Sequence, residues 1–289
     1  MALIPEILER DATGETKRIY DEIKRLWGVP NVTTIVRHVA SIEGCLEWYW
    51  ATIEPAHLCG DFQETALALT DTIAVPPLPK LPPLGLRAMG VDASAERQIR
   101  DVYSAYDRNN RPNILFVCVL QKLLQSSVAR STSYETERKG WQPSPASPAL
   151  VQMVQAVEMP ADTLALAKAV GSWGFPVGTS FLPGVYRHLA NWPAYFAYAG
   201  SMLWPRLEAN EILHAGKSIA NAATVAAEKL VTKLPEPAAP LKPPAPEESA
   251  LLLTLLENMT QKIPEMIVVC KLLGDALPDD GEEKPWRKL

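Results

Sequence analysis

Apolar residues recur along the chain at intervals of three and four rather than in alternation, which predicts helices. In TKRIYDEIKRLW (16–27) Ile19, Tyr20, Ile23, Leu26 and Trp27 form one stripe, and Gly28 and Pro30 stop it. SAERQIRDVYSAY (94–106) places Ile99, Val102, Tyr103 and Tyr106 in the same way. The segments 113–124 and 265–274 are apolar nearly all round, the pattern of central, buried helices. Pro112 suits a first helical position, so the former helix is expected to begin beside it. Nothing shows the strand, glycine-rich turn and helix succession of a nucleotide-binding fold. The expected fold class is all-α.

The pattern also repeats. VRHVASIEGCLEWYWATIEP (36–55) set under YRHLANWPAYFAYAGSMLWP (186–205) aligns Arg37 with Arg187, His38 with His188, Ala40 with Ala190 and Pro55 with Pro205, a shift of 150. RPNILFVCVLQKLL (111–124) lies over IPEMIVVCKLLGDAL (263–277), pairing Pro112 with Pro264 and Cys118 with Cys270 at a shift of 152. Two proline clusters, VPPLPKLPPLG (75–85) and LPEPAAPLKPPAP (234–246), occupy corresponding places and read as extended connections. The chain is therefore read as two tandem helical repeats, 1–150 and 151–289, forming a pseudo-dimer. The charged tail DDGEEKPWRKL reads as a frayed end.

Composition excludes several classes. The chain has 289 residues, 47% of them apolar and 21% charged, as globular proteins do. A net charge of -5, from 33 acidic and 28 basic side chains, gives no positive field for a phosphate backbone, so no nucleic acid partner is expected. Cysteines at 45, 59, 118 and 270 form no CxxC, which fits a reduced, cytoplasmic chain and no zinc knuckle. Residues 1–15 show no export signal, and the apolar run Ile114–Leu120 is far short of the roughly 20 residues of a membrane span.

The segments IYDEIKRLWGVPNV (19–32), NRPNILF (110–116) and VYRHLANWPAYFAY (185–198) together resemble the group I 2-haloacid dehalogenases, over roughly residues 16–277. The resemblance implies an all-α pseudo-dimer with a site between the repeats. There an aspartate activates water for direct displacement of halide at C2, without a covalent ester, and an asparagine positions the reactants. It also implies a small carboxylic-acid ligand and no cofactor.

Asn110 matches the family's asparagine. Read from the residues alone, it falls just ahead of the expected helix N-terminus, where it either caps the chain or offers an anion-binding position. Asn113 then lines the pocket or faces solvent. The family's aspartate stands immediately before the tyrosine of YRHLANWP, and this chain has Val185 there, after Gly184 and before Tyr186. Valine accepts no proton, so the implied mechanism fails unless another group replaces it. No aspartate lies between Asp162 and Asp275. His188, three residues on and on the same helical face, is the nearest substitute base; its counterpart His38 argues equally for a packing role in both repeats. Arg37 and Arg187 read as holding helix ends or carboxylates.

Glu54-Pro-Ala-His57 and Glu211-Ile-Leu-His214 both read ExxH, the spacing of a di-iron ligand pair, but they are 157 apart and lack preceding bridging glutamates. No metal site is expected. Trp48, Tyr49, Trp50, Trp192, Tyr195, Phe196 and Tyr198 either fill the core or line an apolar pocket. GxSxG, GxxxxGK[ST] and HExxH are absent. Oligomeric state is left open, a homodimer among the options.

Overall fold

The computed structural model describes residues 5–70, 73–125, 133–134, 140–175 and 181–279, so all of the charged tail after Asp279 lies outside the described residues. Among the described residues every extended element is a helix, and none is long and apolar enough to cross a membrane. The chain clusters into two compact units. The first combines Met1–Ile73, Arg108–Pro148 and Gly216–Glu265; the second combines Ala74–Asp107, Ala149–Ala215 and Met266–Leu289. Each unit thus draws on both halves of the sequence.

In the first unit, α1 (Gly14–Trp27), α2 (Thr34–Ala40) and α4 (Asp61–Ala68) pack on α3 (Cys45–Leu58). The sequence sets the ends of α1 directly. Glu15 lies in its first turn and Lys24 and Arg25 in its last, complementing the helix dipole. Gly28 then takes φ 65°, and Val29 N–H closes on the Lys24 carbonyl at 3.1 Å. The predicted stripe of α1 is its buried face. In α3, Trp48, Tyr49 and Trp50 are all core residues, and the Tyr49 hydroxyl donates to the Phe116 carbonyl at 2.7 Å.

In the second unit α7 (Ala161–Gly171) and α8 (Gly184–Leu189) pack on α9 (Pro193–Glu208), after the short α5 (Pro83–Ala88). Residues 183–198 are not one helix: Trp192 leaves helical geometry at φ -129° and ψ 73°, and Pro193 opens α9. Tyr195 and Phe196 are buried, Phe196 stacking on Tyr186 with ring centroids 5.5 Å apart, while Tyr198 is exposed.

Three helices carry residues of both units: α6 (Ala93–Gln125), α10 (Glu211–Val231) and α11 (Pro246–Ala276). Here the sequence reading needs correction. Pro112 does not begin a helix but lies inside α6, as Pro264 lies inside α11. Each proline forfeits one N–H bond, yet the buried runs on its C-terminal side, Ile114–Leu120 and Ile267–Cys270, hold the helix together across it. Of the proline clusters 75–85 and 234–246, residues 75–82 and 234–245 contain no helix, whereas Pro83–Gly85 belong to α5 and Pro246 opens α11.

Cys45 and Cys118 are buried in the first unit and Cys270 in the second, with all three thiols pushed up in pKa by burial. Cys59 is the half-exposed one. Among the described residues no cluster of histidine, cysteine and carboxylate can hold a metal ion. The two ExxH motifs have other roles: Glu54 accepts from the Trp50 indole at 2.8 Å, His57 is a core residue, and Glu211 pairs with Arg206 at 2.7 Å.

Candidate functional site

The predicted site residues fall into two groups. Asn110 and Asn113 belong to the first unit; Gly184, Val185, Tyr186 and His188 belong to the second.

Because α6 is continuous, Asn110 sits within a helix and not ahead of an N-terminus, so free helix-end N–H groups are not what it offers. It offers its own amide. Asn110 is 8% exposed, and its Nδ2 is buried with no hydrogen-bond acceptor; its neighbour Asn109, 9% exposed, has a buried Oδ1 with no donor. Such orphans cost about 1–3 kcal/mol each in a closed core, so two on adjacent residues mark a place where a polar partner belongs. Asn113 is buried as well, with Oδ1 accepting from the Thr33 hydroxyl at 3.0 Å. It does not face solvent.

In the second unit, Pro183 precedes the first turn of α8 in extended geometry, and Val185 within that turn is 0% exposed. Its side chain is enclosed by protein and offers no proton acceptor. Gly184 makes room for a neighbour from α6: a Cβ there would lie 2.3 Å from the Tyr106 hydroxyl oxygen. That hydroxyl lies 3.1 Å from Nδ1 of His188, and the two rings meet edge to face with centroids 5.6 Å apart.

His188 is tightly held. Its Nδ1 is also 3.1 Å from the Gly184 carbonyl, one helical turn back. Burial lowers the imidazole pKa, the Arg187 charge acts in the same direction, and the carbonyls of Gly184 and Val151 oppose them. The ring is therefore the neutral form near pH 7, but its nitrogens are engaged with the backbone and with Tyr106. To act as a base toward water it would have to surrender one of these bonds.

The counterpart His38 in the first unit places Nδ1 2.9 Å from the Pro5 carbonyl. Around the two histidines the local bonding recurs. Ile7 N–H donates to the Arg37 carbonyl and Val154 N–H to that of Arg187, both at 3.2 Å. Ser41 N–H donates to the His38 carbonyl and Asn191 N–H to that of His188, both at 3.1 Å.

Sequence reasoning missed Tyr106, which its stripe assigned to the core alone, and Asn109, whose neighbour drew the attention. The glycine before Val185 was the available signal for a close approach, although it did not say by which residue.

No protein-family model matches the chain. In sequence it is 25% identical over 203 residues to "2-haloacid dehalogenase, configuration-inverting" of Alcaligenes xylosoxydans xylosoxydans, covering 66% of this chain and 65% of that protein. It is 26% identical over 216 residues to "(R)-2-haloacid dehalogenase" of Rhizobium sp. (strain NHG3), covering 71% and 79%. A solved D-2-haloacid dehalogenase mutant superposes with a TM-score of 0.75 at 19% identity, covering 95% of this chain and 96% of that one. A mutant complexed with D-2-CPA gives 0.73 at 20% identity and the same coverage. The sequence relatives are thus 2-haloacid dehalogenases, and the chain shares the all-helical fold of solved members.

Proposed function

We propose that the chain is a haloacid-dehalogenase-like protein that binds a small carboxylic acid and in which hydrolytic dehalogenation is lost or altered. The observation that carries this reading is Val185. It stands where the resemblance to group I dehalogenases calls for the water-activating aspartate, and it is an enclosed aliphatic group on the first turn of α8. A general base must lie within hydrogen-bond reach of the attacking water, and a valine cannot meet that demand. Asn110, whose amide nitrogen is buried without an acceptor, supports retention of a polar ligand. Gly184, Val185, Tyr186 and Asn113 are assigned to ligand binding on the same family resemblance. The duplicated hydrogen bonds at His38 and His188 support the tandem-repeat, pseudo-dimeric reading of the fold.

The test is chloride release from D- and L-2-chloropropionate by the purified chain. No turnover above the uncatalysed rate is expected; robust turnover of either enantiomer overturns the reading. Val185→Asp is expected to gain measurable release from one or both.

A second reading keeps the hydrolase with His188 as base, favoured by its neutral imidazole one turn from Val185. It requires native turnover that His188→Ala abolishes while the far-ultraviolet circular dichroism is unchanged. A third, a binding or interaction protein with no reaction, is distinguished by Val185→Asp remaining inert.

A further inference from the structure

We propose that Tyr106 is a positioning residue for His188: its hydroxyl donates to Nδ1, so the ring carries its hydrogen on Nε2 and has no bare Nε2 to offer as a base. This rests on the reading that hydrolysis is lost and adds the contact that keeps His188 from restoring it.

Two groups compete for Nδ1 of His188, the Tyr106 hydroxyl and the Gly184 carbonyl, each 3.1 Å away. The carbonyl can only accept, whereas the hydroxyl can donate, so the winner decides which nitrogen carries the hydrogen of the neutral ring. A hydrogen on Nδ1 would serve Gly184 and leave Nε2 bare. Donation from Tyr106 puts the hydrogen on Nε2, where the Val151 carbonyl, the other backbone acceptor of the ring, takes it. Three observations favour the hydroxyl. The Gly184 carbonyl is an i−4 acceptor within α8, so it has a donor without Nδ1. The Met153 thioether, 3.9 Å from the Tyr106 oxygen, is a weak acceptor, and an imidazole nitrogen is a strong one. Gly184 lacks the Cβ that would stand 2.3 Å from that oxygen, so the backbone admits the hydroxyl at this point.

The aligned histidine shows the alternative. Thr34 stands for Gly184 at the shift of 150, and Asn258 stands for Tyr106 at the shift of 152. Nδ1 of His38 faces the Pro5 carbonyl at 2.9 Å, which only accepts, so that nitrogen carries a hydrogen. Its Nε2 is turned toward Glu6, 3.8 Å from Oε1. The two histidines thus present opposite nitrogens, and the exchange of Thr34 and Asn258 for Gly184 and Tyr106 is what separates them.

The test is long-range proton–nitrogen NMR of the full, isotope-labelled chain at about pH 8, where the ring is neutral, with the His188 signals identified by their loss in His188→Ala. The native spectrum is expected to show hydrogen on Nε2 of His188 and on Nδ1 of His38. Tyr106→Phe is expected to move the His188 hydrogen to Nδ1, toward Gly184. It should also raise the midpoint of the His188 titration by about one pH unit, because a donor to the bare nitrogen favours the neutral ring. Arg187, the charged side chain that acts on the ring, is unchanged in that variant. Gly184→Ala, which displaces the hydroxyl, is expected to give the same exchange and carries the test if Tyr106→Phe does not fold. Hydrogen on Nδ1 of native His188, or a folded Tyr106→Phe chain that keeps the native tautomer, overturns the inference. Either result leaves the loss of hydrolysis, which stands on Val185, intact. Chloride release by the native chain overturns that loss, while the spectrum still decides the tautomer.

Discussion

The Trp27 indole N–H donates to Nε2 of His57 at 3.0 Å, inside a fully buried stack in which His57 also lies 3.9 Å, centroid to centroid, from Phe62. The other ring nitrogen, Nδ1, is 3.1 Å from the Ile53 carbonyl, one turn back along α3. Only one protonation state satisfies both contacts: Nδ1 carries the hydrogen and Nε2 accepts, so the ring is neutral. A histidine singled out by an ExxH spacing is thereby a core hydrogen-bond acceptor.

An acid-sensitive stability follows from that ring. Burial depresses its pKa from 6.5 to about 3. Between those values the unfolded chain binds a proton that the folded chain refuses, so stability falls as pH falls. His57 contributes in full above 6.5, and its contribution declines by about 1.4 kcal/mol per pH unit below that. Urea unfolding at pH 7 and pH 5 checks this: the native chain should lose more stability between the two than His57→Gln, which accepts from Trp27 without titrating. Equal losses would rule out His57 as the source.

Two glycines in the second unit should tolerate a methyl group very differently. A Cβ at Gly171, the last residue of α7, would lie 2.5 Å from both the Phe181 carbonyl oxygen and Pro183 Cδ, and neither can swing aside. A Cβ at Gly184 would meet the end of the Tyr106 side chain. Gly171→Ala is expected to cost about 2–3 kcal/mol and Gly184→Ala about 1 kcal/mol, mostly through the lost Tyr106–His188 bond. Adding Tyr106→Phe to Gly184→Ala should cost little more, whereas the same substitution should do nothing to offset Gly171→Ala. Thermal melts of the four variants decide the order.

Within α11 the buried Lys262 ammonium donates to the buried Glu265 carboxylate at 2.7 Å, and this pair should show the asymmetry of buried charges. Lys262→Met or Glu265→Leu alone unbalances a buried partner and is expected to cost about 3–5 kcal/mol. Lys262→Met combined with Glu265→Leu should be less damaging than either single change. Chemical unfolding of the three variants measures the difference, and additive losses would show that the two charges do not depend on each other.

Helical class and the buried faces were legible because they depend on local spacing. The stripe Ile19, Tyr20, Ile23, Leu26 and Trp27 needs no tertiary information, and Gly28 terminates α1 by its own backbone freedom. The helix start expected at Pro112 is absent for the opposite reason. Local chemistry disfavours proline there, and only the burial of Ile114–Leu120 overrides it. Pro193 opens α9 from a first-turn position that suits proline. At the candidate site, Asn110 and Val185 could be named from the resemblance, and His188 from its three-residue spacing to Val185 on one helical face. The approach of Tyr106 to His188 could not, since 82 residues separate them and no sequence period links them. The orphaned atoms of Asn109 and Asn110 were equally invisible, because an amide's lack of partners is a property of everything packed around it.

The distribution of thiols gives the chain its own unfolding reporters. Alkylating reagents need a reachable thiolate, so Cys59 should react in the native state while Cys45, Cys118 and Cys270 wait for the core to open. Two of those sealed sulfurs lie in one unit and the third in the other. The sequence in which they become labelled under rising denaturant therefore separates loss of the first unit from loss of the second, without introducing any foreign dye or tag.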